Sequence, residues 1–271
     1  MRHHQAMTDT PAIAIPADWA TLAGGGRMPL FGFGTWQLSG QEAQDATAFA
    51  LSVGYRHLDT ATMYGNEQEV GAAIVASGIA RDQVFVTTKL PPDRDGDERP
   101  VLQQSLELLG LAHVDLWLIH WPPSAGVPMW KEFLAAQAEG LVRDVGVSNY
   151  SLAQLDELAA ATGTMPAVNQ IRWSPLLFDR EVLDGHRSRG VVLEGYSALR
   201  GGTLTHPVIE AIAQDLGQTA AQVLVRWHLQ HQVVVIPKSA QPERIVANAD
   251  VTGFELSPAQ MAQLDGLGGS G

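Results

Sequence analysis

The chain has 271 residues, 45% hydrophobic and 17% charged, the balance of a globular protein with a large core. Its 29 Asp and Glu outnumber 17 Lys and Arg, and the formal net charge of −12 excludes a broadly basic nucleic-acid surface. The absence of cysteine excludes disulfides and thiolate metal sites, and the absence of an apolar run of signal-peptide or membrane-spanning length makes the cytoplasm the expected location.

Residues 1–20 read as an N-terminal extension, and 21–271 as one domain. Leu22–Phe31, with Gly24-Gly25-Gly26 as its turn, predicts a small β-hairpin. Apolar runs rich in β-branched and aromatic residues then recur as predicted strands: Leu30–Trp36, Tyr55–Asp59, Val84–Leu90, Val114–Trp121, Val142–Val147, Ala167–Ile171, Val191–Tyr196 and Val233–Ile236. Helical patterns lie between them at Gln41–Val53, Glu67–Ser77, Pro100–Leu109 and Ala220–Gln230. Two more helices open with capping boxes, Ser151-Leu152-Ala153-Gln154 and Ser257-Pro258-Ala259-Gln260, in which the serine caps the backbone and the glutamine reaches back. Gly266–Gly271 is expected to be a mobile tail.

Strands alternating with helices predict a parallel sheet. Eight such units in about 240 residues fit a (β/α)8 TIM barrel, an α/β fold, here with the N-terminal hairpin closing the barrel bottom. The alternative is an open doubly wound sheet, which needs a phosphate loop. Gly32-Phe33-Gly34 has Gln37 where the third glycine of G-x-G-x-x-G falls, and no G-x-x-x-x-G-K-[ST] occurs.

In a barrel the C-terminal strand ends carry the chemistry. Asp59 ends the second predicted strand, with Tyr64 in the loop beyond; Lys89 ends the third and His120 the fourth. Taken singly, each has an ordinary reading as a turn residue, a packed ring, a solvated cation or a core imidazole. Together they place an anion, a phenol, a cation and an imidazole at one rim. A free tyrosine, with a pKa of about 10, is a weak acid at neutral pH, and a nearby ammonium lowers that value. A buried ammonium in turn needs an anion, which Asp59 supplies. His120 can orient a carbonyl oxygen beside the phenol. Such a site protonates and polarises C=O but has no nucleophile, so it needs a hydride donor, meaning a nicotinamide cofactor. His228 and His231, an i, i+3 pair without an acidic partner, are expected at the surface or rim and not as metal ligands.

"FGFGTW" (31–36), "YRHLDTATMYGNE" (55–67), "LGLAHVDLWLIHWP" (109–122), "GLVRDVGVSN" (140–149) and "IPKSAQPERIVANADVTGFELS" (236–257) follow one another in the order of the aldo-keto reductase family, which the chain resembles from about Leu22 to Leu267. Its short loops resemble a bacterial branch similar to 2,5-diketo-D-gluconate reductases. The resemblance implies a catalytic tetrad of Asp59, Tyr64, Lys89 and His120, with Tyr64 as general acid in reducing an aldehyde or ketone. It implies NADPH as cofactor, with NADH weaker. Ser148, Asn149 and Gln170 would bind the nicotinamide carboxamide, and Tyr196 would stack on the ring. Gly34, Thr35, Trp36, Ser197 and Leu199 would also lie along the cofactor. Lys238, Ser239 and Arg244 would hold the 2′-phosphate, which two cations and a hydroxyl near a helix start also suit chemically. Asn248 would contact adenine. Trp36, Trp121, Phe33, Met63 and Pro122 are candidates to line a pocket for a small carbonyl compound. The implied protein is a monomer with no nucleic-acid or membrane partner. One rival stays open, a cofactor-sensing binding subunit on the same scaffold; a metal-dependent barrel hydrolase fails on ligands, because the rim shows one histidine and no carboxylate cluster.

Overall fold

A computed structural model describes residues 14–124 and 126–269. Most of the expected N-terminal extension lies outside the described residues. β1 (Trp19–Thr21) and β2 (Arg27–Pro29) pair antiparallel, Trp19 opposite Pro29, as the predicted hairpin. Its turn rests on the Asp144 carboxylate, and a side chain on Gly24 or Gly26 would collide with it.

Eight short strands follow: β3 (Phe33–Gly34), β4 (His57–Asp59), β5 (Phe85–Leu90), β6 (Val114–Ile119), β7 (Val142–Ser148), β8 (Val168–Arg172), β9 (Val192–Tyr196) and β10 (Val234–Val235). They pair in parallel, each with its neighbours in chain order. A parallel bridge between Phe31 and Val235 joins last to first and closes the barrel, with Val235 N donating to Leu30 O at 2.8 Å and Gly32 N to Val235 O at 2.9 Å. Gly32 permits that approach, because a Cβ there would lie 2.6 Å from His57 Nδ1. Every residue of β5 and β6 is buried, as expected of strands covered on both faces.

α1 (Gly40–Val53), α2 (Glu67–Ser77), α3 (Glu98–Leu109), α4 (Gly126–Ala138), α5 (Leu152–Thr162) and α6 (Arg180–Ser188) each follow one strand. α7 (Pro207–Leu216) and α8 (Ala220–Gln230) both follow β9, and α9 (Pro242–Ala249) and α10 (Pro258–Asp265) follow β10. The predicted capping boxes at Ser151 and Ser257 form, and Thr219 with Gln222 makes another at the start of α8. α3 starts at Glu98, ahead of Pro100, whose missing N–H falls in a first turn that has no partner for it. No helix among the described residues is long and apolar enough to cross a membrane.

Two expectations are corrected. His228 is fully buried and His231 nearly so, neither at the surface: His228 packs on Gly195 of β9, and His231 bonds Asp265 at 2.7 Å. The tail is packed at Leu267 and Gly268, because Leu267 joins the aromatic cluster around Trp173, Phe178 and Trp227 and Gly268 lies on the Phe178 backbone, while Gly266 and Gly269 are exposed. Ser270 and Gly271 lie outside the described residues.

Candidate active site

Side chains two apart on a strand share a face. His57 and Asp59 on β4, Thr87 and Lys89 on β5, and Glu194 and Tyr196 on β9 alternate in this way. Strand pairing sets Asp59 opposite Thr87 and Gln170 opposite Glu194. Lys89 is fully buried, and its ammonium donates to Asp59 Oδ1 at 2.6 Å, Thr60 O at 2.9 Å and Tyr64 Oη at 3.3 Å. The loop holding Tyr64 is braced by the buried Asn66, which accepts from Thr60 Oγ1 at 2.7 Å and donates to Thr35 O and Leu38 O, both at 2.9 Å. The His120 ring meets the Tyr64 ring edge-on, with centroids 5.8 Å apart. The four residues expected to act together are therefore neighbours.

Burial and the Lys89 charge push His120 down to about 3, so its imidazole is neutral at physiological pH. Lys89 stays charged: burial disfavours the ammonium, but Asp59, chief among its anionic neighbours, reverses that and raises it above its ordinary value. For Tyr64 the expected net lowering is corrected. Burial raises the phenol by more than Lys89 lowers it, so the resting group is a firmly protonated donor.

The same network runs on toward the residues expected at the nicotinamide. Gln170 Nε2 donates to Asp59 Oδ2 at 2.8 Å. Ser148 Oγ donates to Gln170 O at 2.8 Å, Asn149 Nδ2 to Ser148 Oγ at 2.9 Å, and Tyr196 Oη to Asn149 Oδ1 at 2.8 Å. Asn149 and Ser197 have φ of 64° and 56°, the left-handed region that non-glycine residues adopt where function or packing demands it. Gly34 gives the Ile236 carbonyl room, since a Cβ there would lie 2.8 Å from it. Thr35 is buried and tied to Asp59 O, and the Leu199 side chain packs into the Trp173 cluster. Lys238 and Arg244 are exposed, with no carboxylate at ion-pair distance among the described residues. They flank the start of α9, where Ser239 Oγ accepts from Gln241 N at 3.0 Å and Asn248 is buried. Unneutralised cations at a helix start are what a phosphate-bearing cofactor requires, so the residues present fit that group.

Trp36, Trp121 and Met63 are 44%, 46% and 60% exposed around the mouth, and Pro122 follows Trp121 there. Phe33 is corrected: it is buried with its ring edge against Tyr55, 5.7 Å between centroids, and packs in the core. Two grooves lie elsewhere, about 520 Å³ between α2 and α3 and about 330 Å³ at the barrel bottom, and neither includes Asp59, Tyr64, Lys89 or His120. Asn66 and Glu194 are site residues that no sequence motif marks. A lone acid inside the apolar run Val191–Tyr196 was the available signal for the second.

The model of the aldo/keto reductase family matches residues 30–268. The chain belongs to that family. Over 264 residues it is 45% identical to an aldo-keto reductase of Mycolicibacterium vanbaalenii, covering 95% of this chain and 94% of that one. It is 44% identical over 265 residues to morphine 6-dehydrogenase of Pseudomonas putida, covering 91% and 90%. The crystal structure of an aldo/keto reductase from Brucella melitensis superposes with a TM-score of 0.89 at 39% identity, over 94% of this chain and all of that one. This aldo/keto reductase is thus an oxidoreductase acting on carbonyl compounds, built on a closed parallel barrel.

Proposed function

We propose that the protein reduces small aldehydes or ketones to alcohols with NADPH, Tyr64 acting as general acid. The observation that carries this reading is the buried Asp59–Lys89 pair whose ammonium reaches Tyr64 Oη at 3.3 Å, beside a neutral His120. The nicotinamide supplies the hydride when bound. Ser148, Asn149, Gln170 and Tyr196 would hold its nicotinamide end, and Lys238, Ser239 and Arg244 its 2′-phosphate.

The protein's own part follows from the charges. A carbonyl oxygen seated between Tyr64 and His120 is polarised by the neutral imidazole N–H. As negative charge develops on that oxygen, Tyr64 transfers its proton to it. The growing phenolate is met by the Lys89 ammonium, which Asp59 keeps charged and in place. Burial makes that attraction stronger than it would be in water. The half-exposed Trp36 and Trp121 make an aromatic rim suited to a small carbonyl compound, with the Arg200 guanidinium 4.5 Å over the Trp36 ring.

The test follows loss of nicotinamide absorbance with NADPH and then NADH against aldehydes, α-ketoesters and diketones. Tyr64→Phe is expected to lower kcat by about 10²-fold or more while cofactor binding, read by fluorescence, is retained. Wild-type turnover in Tyr64→Phe would remove the assigned role. No turnover on any carbonyl despite tight NADPH binding would favour a cofactor-sensing protein.

A further inference from the structure

Glu194 is fully buried on β9, one layer below Tyr196 on the barrel interior. The groups that face it come from several strands. β4 presents His57, whose Nε2 is 3.8 Å from Glu194 Oε1, and Asp59. β5 presents Lys89, and β8 presents the Gln170 amide that already donates to Asp59. On its other side β10 offers only Val234 and Val235. His228 of α8 backs the same strand from outside, at Gly195. Neither Glu194 oxygen closes a hydrogen bond of ordinary length and angle among the described residues. The Gln170 amide lies close enough to favour the charged form by hydrogen bonding, short of ordinary geometry.

Charge balance decides its state. Among the described residues Lys89 is the one cation facing this group, and its ammonium is committed to Asp59, Thr60 and Tyr64. Asp59 already neutralises it. A second carboxylate here would be buried without a counter-ion, which a carboxyl avoids by keeping its proton. We propose that Glu194 is a positioning residue of this active centre: it carries a proton, so that Asp59–Lys89 remains the sole ion pair beneath Tyr64, and its ionisation at alkaline pH is what weakens the centre for reduction.

The proposal rests on Tyr64 being the proton donor of the reaction argued above. Burial first, then the Asp59 charge, hold Glu194 well above the usual carboxylate range, against the opposing pull of Gln170 and Lys89. A charge on Glu194 raises both Tyr64 and Lys89. It therefore makes the phenol a poorer acid as the pH rises. His57 does not share the role of counter-ion, because burial pushes it down to about 4 and leaves it neutral.

The test starts with the cofactor-free wild-type protein, carrying ¹³C at the glutamate carboxyls. NMR follows it from about pH 4 to about pH 10, with Glu194 assigned through its bonds to the backbone. Its midpoint is expected about two pH units or more above the surface glutamates. A Glu194 signal that titrates with the surface glutamates overturns the proposal, and this reading needs neither a variant nor turnover. In the pH profile of kcat for carbonyl reduction, Glu194→Gln is expected to move the alkaline fall upward by about one pH unit. A profile superimposing on wild type overturns the catalytic part. A wild type inactive on every carbonyl overturns the functional reading instead, so the two failures are told apart.

Discussion

The buried Lys89 ammonium has three protons and three acceptors, and one of those acceptors is a carboxylate only 2% exposed. Removing the cation strands the anion. Lys89→Met is expected to destabilise the protein by about 3–5 kcal/mol, measured by urea unfolding, and adding Asp59→Asn to recover much of that loss. An equal cost in the single and double variants would mean that Asp59 is solvated in the folded state. Lys238 and Arg244 should behave in the opposite way. They are exposed and without carboxylate partners among the described residues, so Lys238→Ala and Arg244→Ala should leave stability unchanged. They should raise KM for NADPH by on the order of tenfold more than for NADH. Equal effects on the two cofactors would place the 2′-phosphate elsewhere. Asp59, Lys89 and His120 are legible from their strand ends, and Tyr64 from the loop beyond Asp59. Glu194 shows in the sequence only as a lone acid in an apolar run; that it lacks a partner is decided by what β4, β5 and β8 bring beside it.

Among the elements, the barrel strands were readable as apolar runs because parallel strands covered on both faces carry few polar residues. Most predicted strands overrun the observed ones, though Val142–Val147 and Ala167–Ile171 each stop one residue short of the C-terminal ends of β7 and β8. Leu30–Trp36 keeps regular pairing only at Phe33–Gly34, with the Phe31 bridge beside it, because the chain turns away at Thr35 to reach the site. α4, α6 and α7 went unread; α6 is strongly polar, and only its Leu183 and His186 are buried. Helix packing left one residue with no visible signal. Gly71 on α2 reads as an ordinary helical position, yet a side chain there would strike the Leu109 backbone at the end of α3. Gly71→Ala, which should gain helix propensity on an isolated helix, is expected to cost about 1–3 kcal/mol in thermal or chemical unfolding. A stabilised variant would show that α2 and α3 can part without loss.

At the scale of the whole molecule, buried titratable groups couple stability to pH with opposite signs. Burial pushes His228 down to about 4. Between about pH 6.5 and pH 4 the unfolded chain therefore binds a proton there that the native state refuses, and stability falls as the pH drops. Glu194 does the reverse: its raised value keeps a proton on in the native state after the unfolded chain has lost it, so stability falls as the pH rises above the usual carboxylate range. His228→Gln should flatten the acid-side dependence of unfolding free energy by about 1.4 kcal/mol per pH unit, and Glu194→Gln should steepen it by a similar amount. Slopes shifting in the same direction would contradict a neutral His228 and a protonated Glu194 in the folded state.

What the sequence determined by itself was local or repetitive. Period, capping boxes and strand spacing dictate the barrel, since each depends on residues close in the chain. The proximity of Asp59, Tyr64, Lys89 and His120 follows because a barrel presents its strand ends and the loops beyond them at one rim. Only the tertiary structure decided the rest. Phe33 faces Tyr55 in the core, His228 lies behind β9, Gly268 packs on Phe178, and burial outweighs Lys89 at Tyr64. Each of these depends on how much water and which charges surround a side chain. Those surroundings are assembled from segments far apart in the chain, so composition and periodicity carry no record of them.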